Sequence, residues 1–198
     1  MIIIDNYLTI AIILDLIIGD NYIKPHPVVI MGGFITFLEK NFRKIVNSDT
    51  GERIAGILEV LLVVGLVYLT TFLIIYLAYE IHLVAGIIVN VILLETTISI
   101  KGLITVGYKI YQYLKSGDIR SARNAVNKIV GRDCDQLEEN DIIRATVETL
   151  AENTSDGIIA PMFFYVMGGT PLAMCYKAVN TLDSMMGYKN DKYRYYGW

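Results

Sequence analysis

The densest group of side chains suited to chemistry lies in the run RATVETLAENTSDG, which begins at Arg144. Arg144, Glu148 and Glu152 follow one another at intervals of four, so on a helix they form one stripe, with Asn153 and Asp156 at its end. These carboxylates offer the oxygen ligands that a magnesium–phosphate site requires. The alternative is an exposed, salt-bridged helix face followed by a capped helix.

A second polar group stands near the end of the sequence. Lys177, Asn180 and Asp183 recur at intervals of three, which places them on one side of a helix. They offer an ammonium group for phosphate and two oxygen ligands for a metal. The alternative is that they only make the helix soluble, while the tyrosines that follow form an aromatic belt at a membrane interface.

A third group lies at the end of the first apolar run. Asp15 interrupts that run, Asp20 follows a glycine, and Lys24 and His26 come shortly after. An ionisable group inside a membrane span is costly, so Asp15 is a functional candidate with Lys24 or a charge from another helix as partner, and Glu95 permits the same interpretation. If Asp15 instead lies in interfacial water it needs no such role, and a lone histidine is more often a loop residue than a ligand.

The elements that must position these groups are membrane helices. The chain has 198 residues, of which 54% are hydrophobic, and a mean hydropathy of +0.48. Residues 54–79 are long enough to cross about 30 Å of hydrocarbon, residues 83–100 can return, and residues 1–20 predict a first membrane helix. The sequence therefore predicts an all-α fold, a multi-pass membrane helix bundle.

Two polar segments connect these helices. Residues 21–53 predict a loop with an interfacial helix, and residues 101–157 predict water-exposed helices. Lysines and arginines crowd both segments and are absent from residues 80–82. The positive-inside rule therefore places both segments in the cytoplasm and the N-terminus outside.

The last apolar segment, residues 158–178, contains several prolines and glycines. We expect it to enter the membrane, turn between Gly168 and Pro171, and return, because the basic tail at residues 179–198 should stay cytoplasmic. The alternative is a fourth crossing. A re-entrant loop would also place a helix N-terminus with free N–H groups near Asp156, suited to phosphate.

Composition and missing motifs exclude several classes of protein. The net charge of −3 includes no basic block, so nucleic acid is not an expected partner. The two cysteines have no thiol or histidine at ligand spacing beside them, which argues against a disulfide or zinc framework. The motifs of familiar nucleotide-binding and hydrolase folds are absent.

All three polar groups also carry a resemblance to a known family. The matching runs are LDLIIGD, the His-Pro pair at 26–27, IVGRD at 129–133, RATVETLAENTSDGIIAP at 144–161, and the stretch from GGTPLAM to the end at 168–198. In these runs the chain closely resembles the adenosylcobinamide-phosphate synthase (cobinamide synthase) family of cobalamin biosynthesis. The resemblance covers essentially the whole chain.

The resemblance implies a multi-pass enzyme of the cell membrane whose active site faces the cytoplasm. Such an enzyme joins aminopropanol phosphate or ethanolamine phosphate to the carboxylate of adenosylcobyric acid, with ATP and Mg²⁺. The implied partners are this corrinoid, the amino-alcohol phosphate, the lipid bilayer and other membrane enzymes of cobalamin assembly.

Site roles follow from this resemblance. Mg²⁺ is expected at Glu148, Glu152, Asp156, Asn180 and Asp183. Substrate and phosphate groups are expected at His26, Arg144, Asn153, Lys177 and Lys189, with Asn153 also able to hold the metal. The catalytic set is expected to be Asp15, Asp20, Glu148, Glu152 and Asp183, converging on one cytoplasm-facing cavity.

Two departures from the family stand out. Asn21 replaces the proline that usually follows the Gly-Asp pair, and the sequence ends at Trp198 where the family continues with an aspartate-rich motif and more membrane segments. We therefore expect a fragment, a split gene product or a truncated form, which is inactive alone if the later residues complete the site. The competing functions are a non-catalytic sensor or scaffold, or a small transporter using Asp15 and Glu95, and binding of ATP-Mg²⁺ separates the enzyme from both.

Overall fold

The fold is helical throughout the described ranges, which contain no strand. The computed structural model describes residues 2–19, 25–46, 48–130 and 134–197, with side chains from residue 6 onward. Its α-helices are α1 (Ile2–Ile17), α2 (Pro27–Phe42), α3 (Asp49–Ile81), α4 (Leu83–Glu95), α5 (Ile100–Lys115), α6 (Ile119–Val126), α7 (Glu139–Thr154) and α8 (Ala160–Met186). A π-helical turn, Ser155–Ile159, joins α7 to α8. The predicted all-α fold is confirmed.

Three helical stretches are long and apolar enough to cross a membrane. They are α3, the pair α4 and α5 over Leu83–Lys115, and the continuous stretch Glu139–Met186. Helix α1 adds a shorter apolar segment, Asn6–Ile17. Only 17% of the apolar window of α3 is buried within the protein, so most of its leucines and isoleucines face outward, as lipid contact requires. These features indicate a membrane protein.

Helices α3 and α4 form a hairpin with one connecting residue, His82. The backbone of His82 is extended, and its Nδ1 accepts the N–H of Val84 at 3.1 Å. The extended backbone of His82 therefore ends α3, and its side chain caps α4. A Cβ on Gly86 would collide with the ring of Tyr79, so glycine there allows the two helices to pack closely. The very short connection predicted from the sequence is present.

Three hydrophobic clusters divide the described residues. The first joins α2, α3, the end of α8 and the C-terminal segment. The second joins α1, α4 and the middle of α8. The third joins α5, α6 and α7 around Ile110, Ala122 and Ile142. This third cluster gives the polar region of residues 101–157 a small core of its own.

The junction between α7 and α8 differs from the prediction. Pro161 has no N–H, so the carbonyl of Gly157 lacks its usual helical donor, and the N–H of Ser99 donates to it at 3.0 Å. The π-helical turn accommodates the proline, and the N–H of Ala160 donates to the carbonyl of Ser155. The helix is therefore continuous at Asp156, and the expected free helix N-terminus for phosphate was wrong.

Helix α8 breaks at Gly168 and Gly169, where the sequence predicted a turn. Gly169 has φ of 72°, a conformation that favours glycine, and Pro171 follows. Because Pro171 lacks an N–H, it cannot continue the hydrogen-bond pattern of the preceding turn. The hydroxyl of Thr170 donates to Oδ1 of Asn90 at 2.5 Å, which anchors the break to α4.

The chain reverses direction at this break. The rings of Phe164 and Tyr176 stack with centroids 5.0 Å apart, and the hydroxyl of Tyr176 donates to Oδ1 of Asp156 at 3.3 Å. A straight helix would separate residues 156 and 176 by about 30 Å. The two arms of α8 therefore lie side by side as a helical hairpin. Its entry into the membrane without crossing stays a prediction, as do the positions of the other segments relative to the bilayer.

Candidate functional site

One polar cavity contains most of the carboxylates singled out from the sequence. It has a volume of about 600 Å³ and lies between α7, the second arm of α8 and the segment after α6. We name it the acidic cavity after the residues that define it, Glu148, Glu152, Asp156 and Asp183; Asn153 and Asn180 also line it. The first and second polar groups of the sequence, which are more than 20 residues apart, thus line the same cavity.

The reversal of α8 creates this meeting. Glu148 and Glu152 lie on the exposed stripe of α7, as their spacing predicts. Asp156 follows in the π-helical turn, where the hydroxyl of Tyr176 holds it. Asn180 and Asp183 belong to the second arm, and they reach the cavity because that arm returns alongside the first.

The carboxylates of the acidic cavity suit a metal ion that binds together with a substrate phosphate group. Among the described residues, no three histidine, cysteine, aspartate or glutamate side chains form a preassembled metal cluster. Mg²⁺ commonly keeps several waters and binds one or two carboxylates together with substrate phosphates, without a closed protein cage. The oxygen atoms of the acidic cavity match that chemistry.

Among the described residues that line this cavity, the one cation is a residue that the sequence reasoning missed as a site residue. Lys128 lines the acidic cavity, whereas the expected phosphate ligands Arg144, Lys177 and Lys189 are not among its lining residues. Arg144 and Lys189 are exposed and Lys177 is half-buried, and their phosphate role stays a prediction. A signal was present, since Lys128 directly precedes the run IVGRD that carries the family resemblance.

Asp15 is fully buried and caps a helix. Its Oδ2 accepts the N–H groups of Ile100 and Lys101 at 2.8 and 3.0 Å, at the start of α5. The Nζ of Lys101 in turn donates to the carbonyls of Ile17 and Ile18 at the end of α1. Asp15 on α1 thus lies at the N-terminus of α5, and Lys101 on α5 lies at the C-terminus of α1. Each side chain offsets the partial charge of the other helix dipole.

Asp15 is not among the residues that line the acidic cavity, although α5 connects the two. The N–H of Ser99, just before α5, donates to Gly157, the neighbour of Asp156. The expected partner Lys24 and the catalytic candidate Asp20 lie outside the described residues. A catalytic role for Asp15 stays a prediction, and its observed contacts position α5.

His26 forms the start of α2. Its Nδ1 accepts the N–H of Val28 at 3.3 Å, and Pro27 is the first helical residue. This arrangement explains the His-Pro pair as a helix cap followed by a proline that needs no donor. His26 is not among the lining residues of the acidic cavity, and its contact with substrate stays a prediction.

The C-terminal segment packs against α2 and α3. Tyr193 and Tyr196 are buried, so they do not form the exposed aromatic belt considered above. The guanidinium of Arg43 lies over both rings and donates to the carbonyl of Lys192 at 2.7 Å. The hydroxyl of Tyr196 donates to Glu59. We name these docked residues, 192–197, the C-terminal latch.

The charged groups at the contact between the latch and α2 stabilise one another. Burial raises the pKa of Glu39, but hydrogen bonds from Lys192 and Arg43 outweigh burial and hold that pKa below its usual value. The hydrogen bonds with Tyr193 and Glu39 raise the pKa of Lys192. Burial makes the largest contribution to raising the pKa of Tyr196, and the hydrogen bond to Glu59 raises it further. The latch is therefore a charged, buried contact between distant parts of the chain.

Comparisons with known proteins agree on one family. Residues 8–198 match the family model described as CobD/Cbib protein. The chain is 44% identical over 188 residues to a cobalamin biosynthesis protein CobD of Halalkalibacterium halodurans, covering 95% of this chain and 58% of that protein. It is 47% identical over 189 residues to a protein of the same name from Clostridium perfringens, covering 96% and 59%. The chain thus spans less than two thirds of the length of these relatives. No solved structure matches it.

Proposed function

Because the chain belongs to the CobD/Cbib family of cobalamin biosynthesis proteins, we propose that it carries the phosphate- and metal-binding part of adenosylcobinamide-phosphate synthase. The proposed reaction joins the carboxylate of adenosylcobyric acid to the amine of aminopropanol phosphate or ethanolamine phosphate, with ATP and Mg²⁺. The acidic cavity carries this proposal, since it combines four carboxylates, two amides and one lysine.

The chemistry requires activation of a carboxylate. A carboxylate oxygen attacks the γ-phosphorus of ATP, so that an acyl phosphate forms and ADP leaves. The amine then attacks the acyl carbon, inorganic phosphate leaves, and the nitrogen loses a proton. Mg²⁺, when bound, neutralises charge on the phosphate oxygens.

The residues of the cavity suit these steps. The carboxylates of Glu148, Glu152 and Asp183 provide oxygen ligands for Mg²⁺ and acceptors for the proton that the amine releases. Lys128 provides a cation beside the transferred phosphoryl group, where negative charge accumulates. The hydroxyl of Tyr176 holds Asp156 in place.

The test is synthesis in membranes. The chain is expressed as it stands and also joined to the remaining C-terminal portion of the Clostridium perfringens relative. Membranes receive adenosylcobyric acid, ethanolamine phosphate, ATP and Mg²⁺, and mass spectrometry detects the condensed product. We expect product and ADP in equal amounts, dependent on Mg²⁺.

Two outcomes contradict the proposal. ATP-Mg²⁺ binding without any product in the joined protein would leave a nucleotide-binding protein of another kind. Absence of ATP-Mg²⁺ binding altogether would favour the non-catalytic scaffold or the transporter.

A further inference from the structure

A second cavity adjoins the acidic cavity and has the opposite charge. It has a volume of about 300 Å³ and lies between α5, α6 and the segment after α6. Lys109, Lys128, Ser121 and Asn124 line it. None of the lining residues that the structure describes is acidic. We name it the basic cavity.

The two cavities share a wall. Lys128 and Ile129 line both of them. A molecule that reaches past these two residues from one cavity into the other therefore meets lysines at one end. At its other end it meets the carboxylates of Glu148, Glu152, Asp156 and Asp183.

We propose that the basic cavity binds the phosphate group of a small phosphomonoester whose amino group reaches into the acidic cavity. This inference rests on the proposed function and deepens it. An amino-alcohol phosphate carries negative charge at one end and an ammonium group at the other. That polarity matches the two adjoining cavities in order, with lysines for the phosphate and carboxylates for the amine.

Hydrogen bonds hold the backbone that forms one wall of the basic cavity. The Nδ2 of Asn127 donates to Asp135 at 2.6 Å, and its Oδ1 accepts the N–H of Cys134 at 2.7 Å. The Nε of Arg123 donates to the carbonyl of Leu137 at 2.7 Å. These bonds tie the end of α6 to the segment that follows it and so position the backbone of Lys128.

Donors and volume also suit this ligand. The ammonium of Lys109 lies 6.0 Å from the ring centroid of Tyr113 on the same helix, which favours a position beside the cavity. Ser121 and Asn124 add a hydroxyl and an amide that can donate to phosphate oxygens. The volume lies at the lower limit of ligand pockets and so favours a small monoester over a nucleotide.

A binding experiment without metal isolates the basic cavity. The protein, in lipid nanodiscs with EDTA, is titrated with inorganic phosphate, ethanolamine phosphate and ethanolamine by calorimetry. Without Mg²⁺ the carboxylates repel phosphate, so phosphate binding reports the lysines. We expect ethanolamine phosphate to bind more tightly than either of the other two, because only it engages both cavities.

Variants separate the two ends of the ligand. We expect Lys109→Gln and Lys128→Gln to weaken binding of both phosphate compounds by about three- to tenfold each, as loss of a partly exposed charge-assisted bond predicts. The matched control is Lys115→Gln, which removes an exposed lysine of the same helix outside both cavities. Asp183→Asn should weaken binding of ethanolamine phosphate without weakening binding of inorganic phosphate, which the Asp183 carboxylate only repels.

Kinetics then tests the assignment against nucleotide binding. Lys109→Gln should raise the KM for ethanolamine phosphate in the joined protein and leave the KM for ATP unchanged. The proposal is overturned if both lysine variants bind phosphate like the Lys115→Gln control, or if the KM for ATP rises in place of the other. Intact metal-free binding without any amide product would contradict the proposed function alone.

Discussion

At the scale of single residues, the carboxylates of the acidic cavity have the clearest consequence. Replacing Glu152 or Asp183 with alanine in the joined protein is expected to abolish formation of cobinamide phosphate, because each removes an oxygen ligand for the metal–phosphate group. Membrane insertion should remain intact, since both side chains are exposed. Mass spectrometry of product and the amount of protein in washed membranes provide the measurements.

The matched control for these variants is Asp141→Asn, an exposed carboxylate at the start of α7 outside the cavity. It should retain near-normal synthesis. Near-normal product from Glu152→Ala or Asp183→Ala would instead show that the carboxylate is structural.

Asp15 provides a second prediction at this scale. Asp15→Ala removes the cap of α5 and should destabilise the protein by about 1–2 kcal/mol, as loss of a helix cap usually does. Asp15→Asn retains an acceptor and should lose less. Thermal unfolding in detergent measures both. A stable Asp15→Asn protein that makes no product would show that the carboxylate itself takes part in the reaction.

At the scale of elements, the break in α8 decides whether a site forms. Gly169→Ala introduces a Cβ at a φ of 72° and a ψ of −169°, a conformation that is essentially restricted to glycine and costs another residue about 1–3 kcal/mol. We expect a lower unfolding temperature and weaker ATP-Mg²⁺ binding, because the second arm carries Asn180 and Asp183 into the cavity. The control is Gly65→Ala on α3, where an added Cβ has open space around it. Equal unfolding temperatures for the two variants would contradict this interpretation of the break.

Docking of the C-terminal latch should depend on pH. Because the pKa of Glu39 is held below its usual value of 4.5, its stabilising effect is complete above that value and declines as pH falls through the lower pKa of the docked state. Lys192 behaves in the opposite sense, since its pKa is raised from 10.5. Its stabilising effect is complete below 10.5 and declines at higher pH.

Hydrogen exchange of residues 192–197, corrected for the intrinsic effect of pH, tests this expectation. We expect protection to decline on the acid side, as pH falls below 4.5 and the Glu39 carboxylate becomes protonated. In Glu39→Gln the acid dependence should disappear. An unchanged acid dependence in that variant would assign the effect to another group.

At the scale of the whole molecule, the return of α8 predicts the topology. Between the acidic cavity and the break, from Asp156 to Gly168 and from Gly169 to Asp183, each arm has fewer residues than the roughly 20 that a helix needs to span a bilayer. We therefore expect Ser155 and Arg194 to lie on the same side of the membrane, the cytoplasmic side that the positive charges favour. Ile81, the last residue of α3 before its connection to α4, should lie on the other side.

Single-cysteine labelling in a Cys134→Ser, Cys175→Ser background measures this topology. Ser155→Cys and Arg194→Cys should react only after the inner face is exposed, and Ile81→Cys should react in intact cells. Arg194 is exposed and therefore a better reporter than its buried neighbour Tyr193. Labelling of Arg194→Cys from outside would establish a further crossing.

The sequence by itself determined the helical fold, the apolar spans and the break near Gly168, because these depend on local hydrophobic length and on the backbone limits of glycine and proline. It also singled out the carboxylates Glu148, Glu152 and Asp183. Their arrival in one cavity was expected from the family resemblance, since neighbours along a helix say nothing about a distant segment.

Only the tertiary structure decided which candidates share a cavity. The reversal of α8 brings Asp183 to Glu152, and packing of α6 against α5 and α7 brings in Lys128, whose position no local spacing reveals. Asp15 has the same sequence signal as a catalytic carboxylate, yet it accepts backbone N–H groups 85 and 86 residues away. Such partners depend on how helices pack, which is why a buried charge in the sequence predicts that a partner exists without predicting which one.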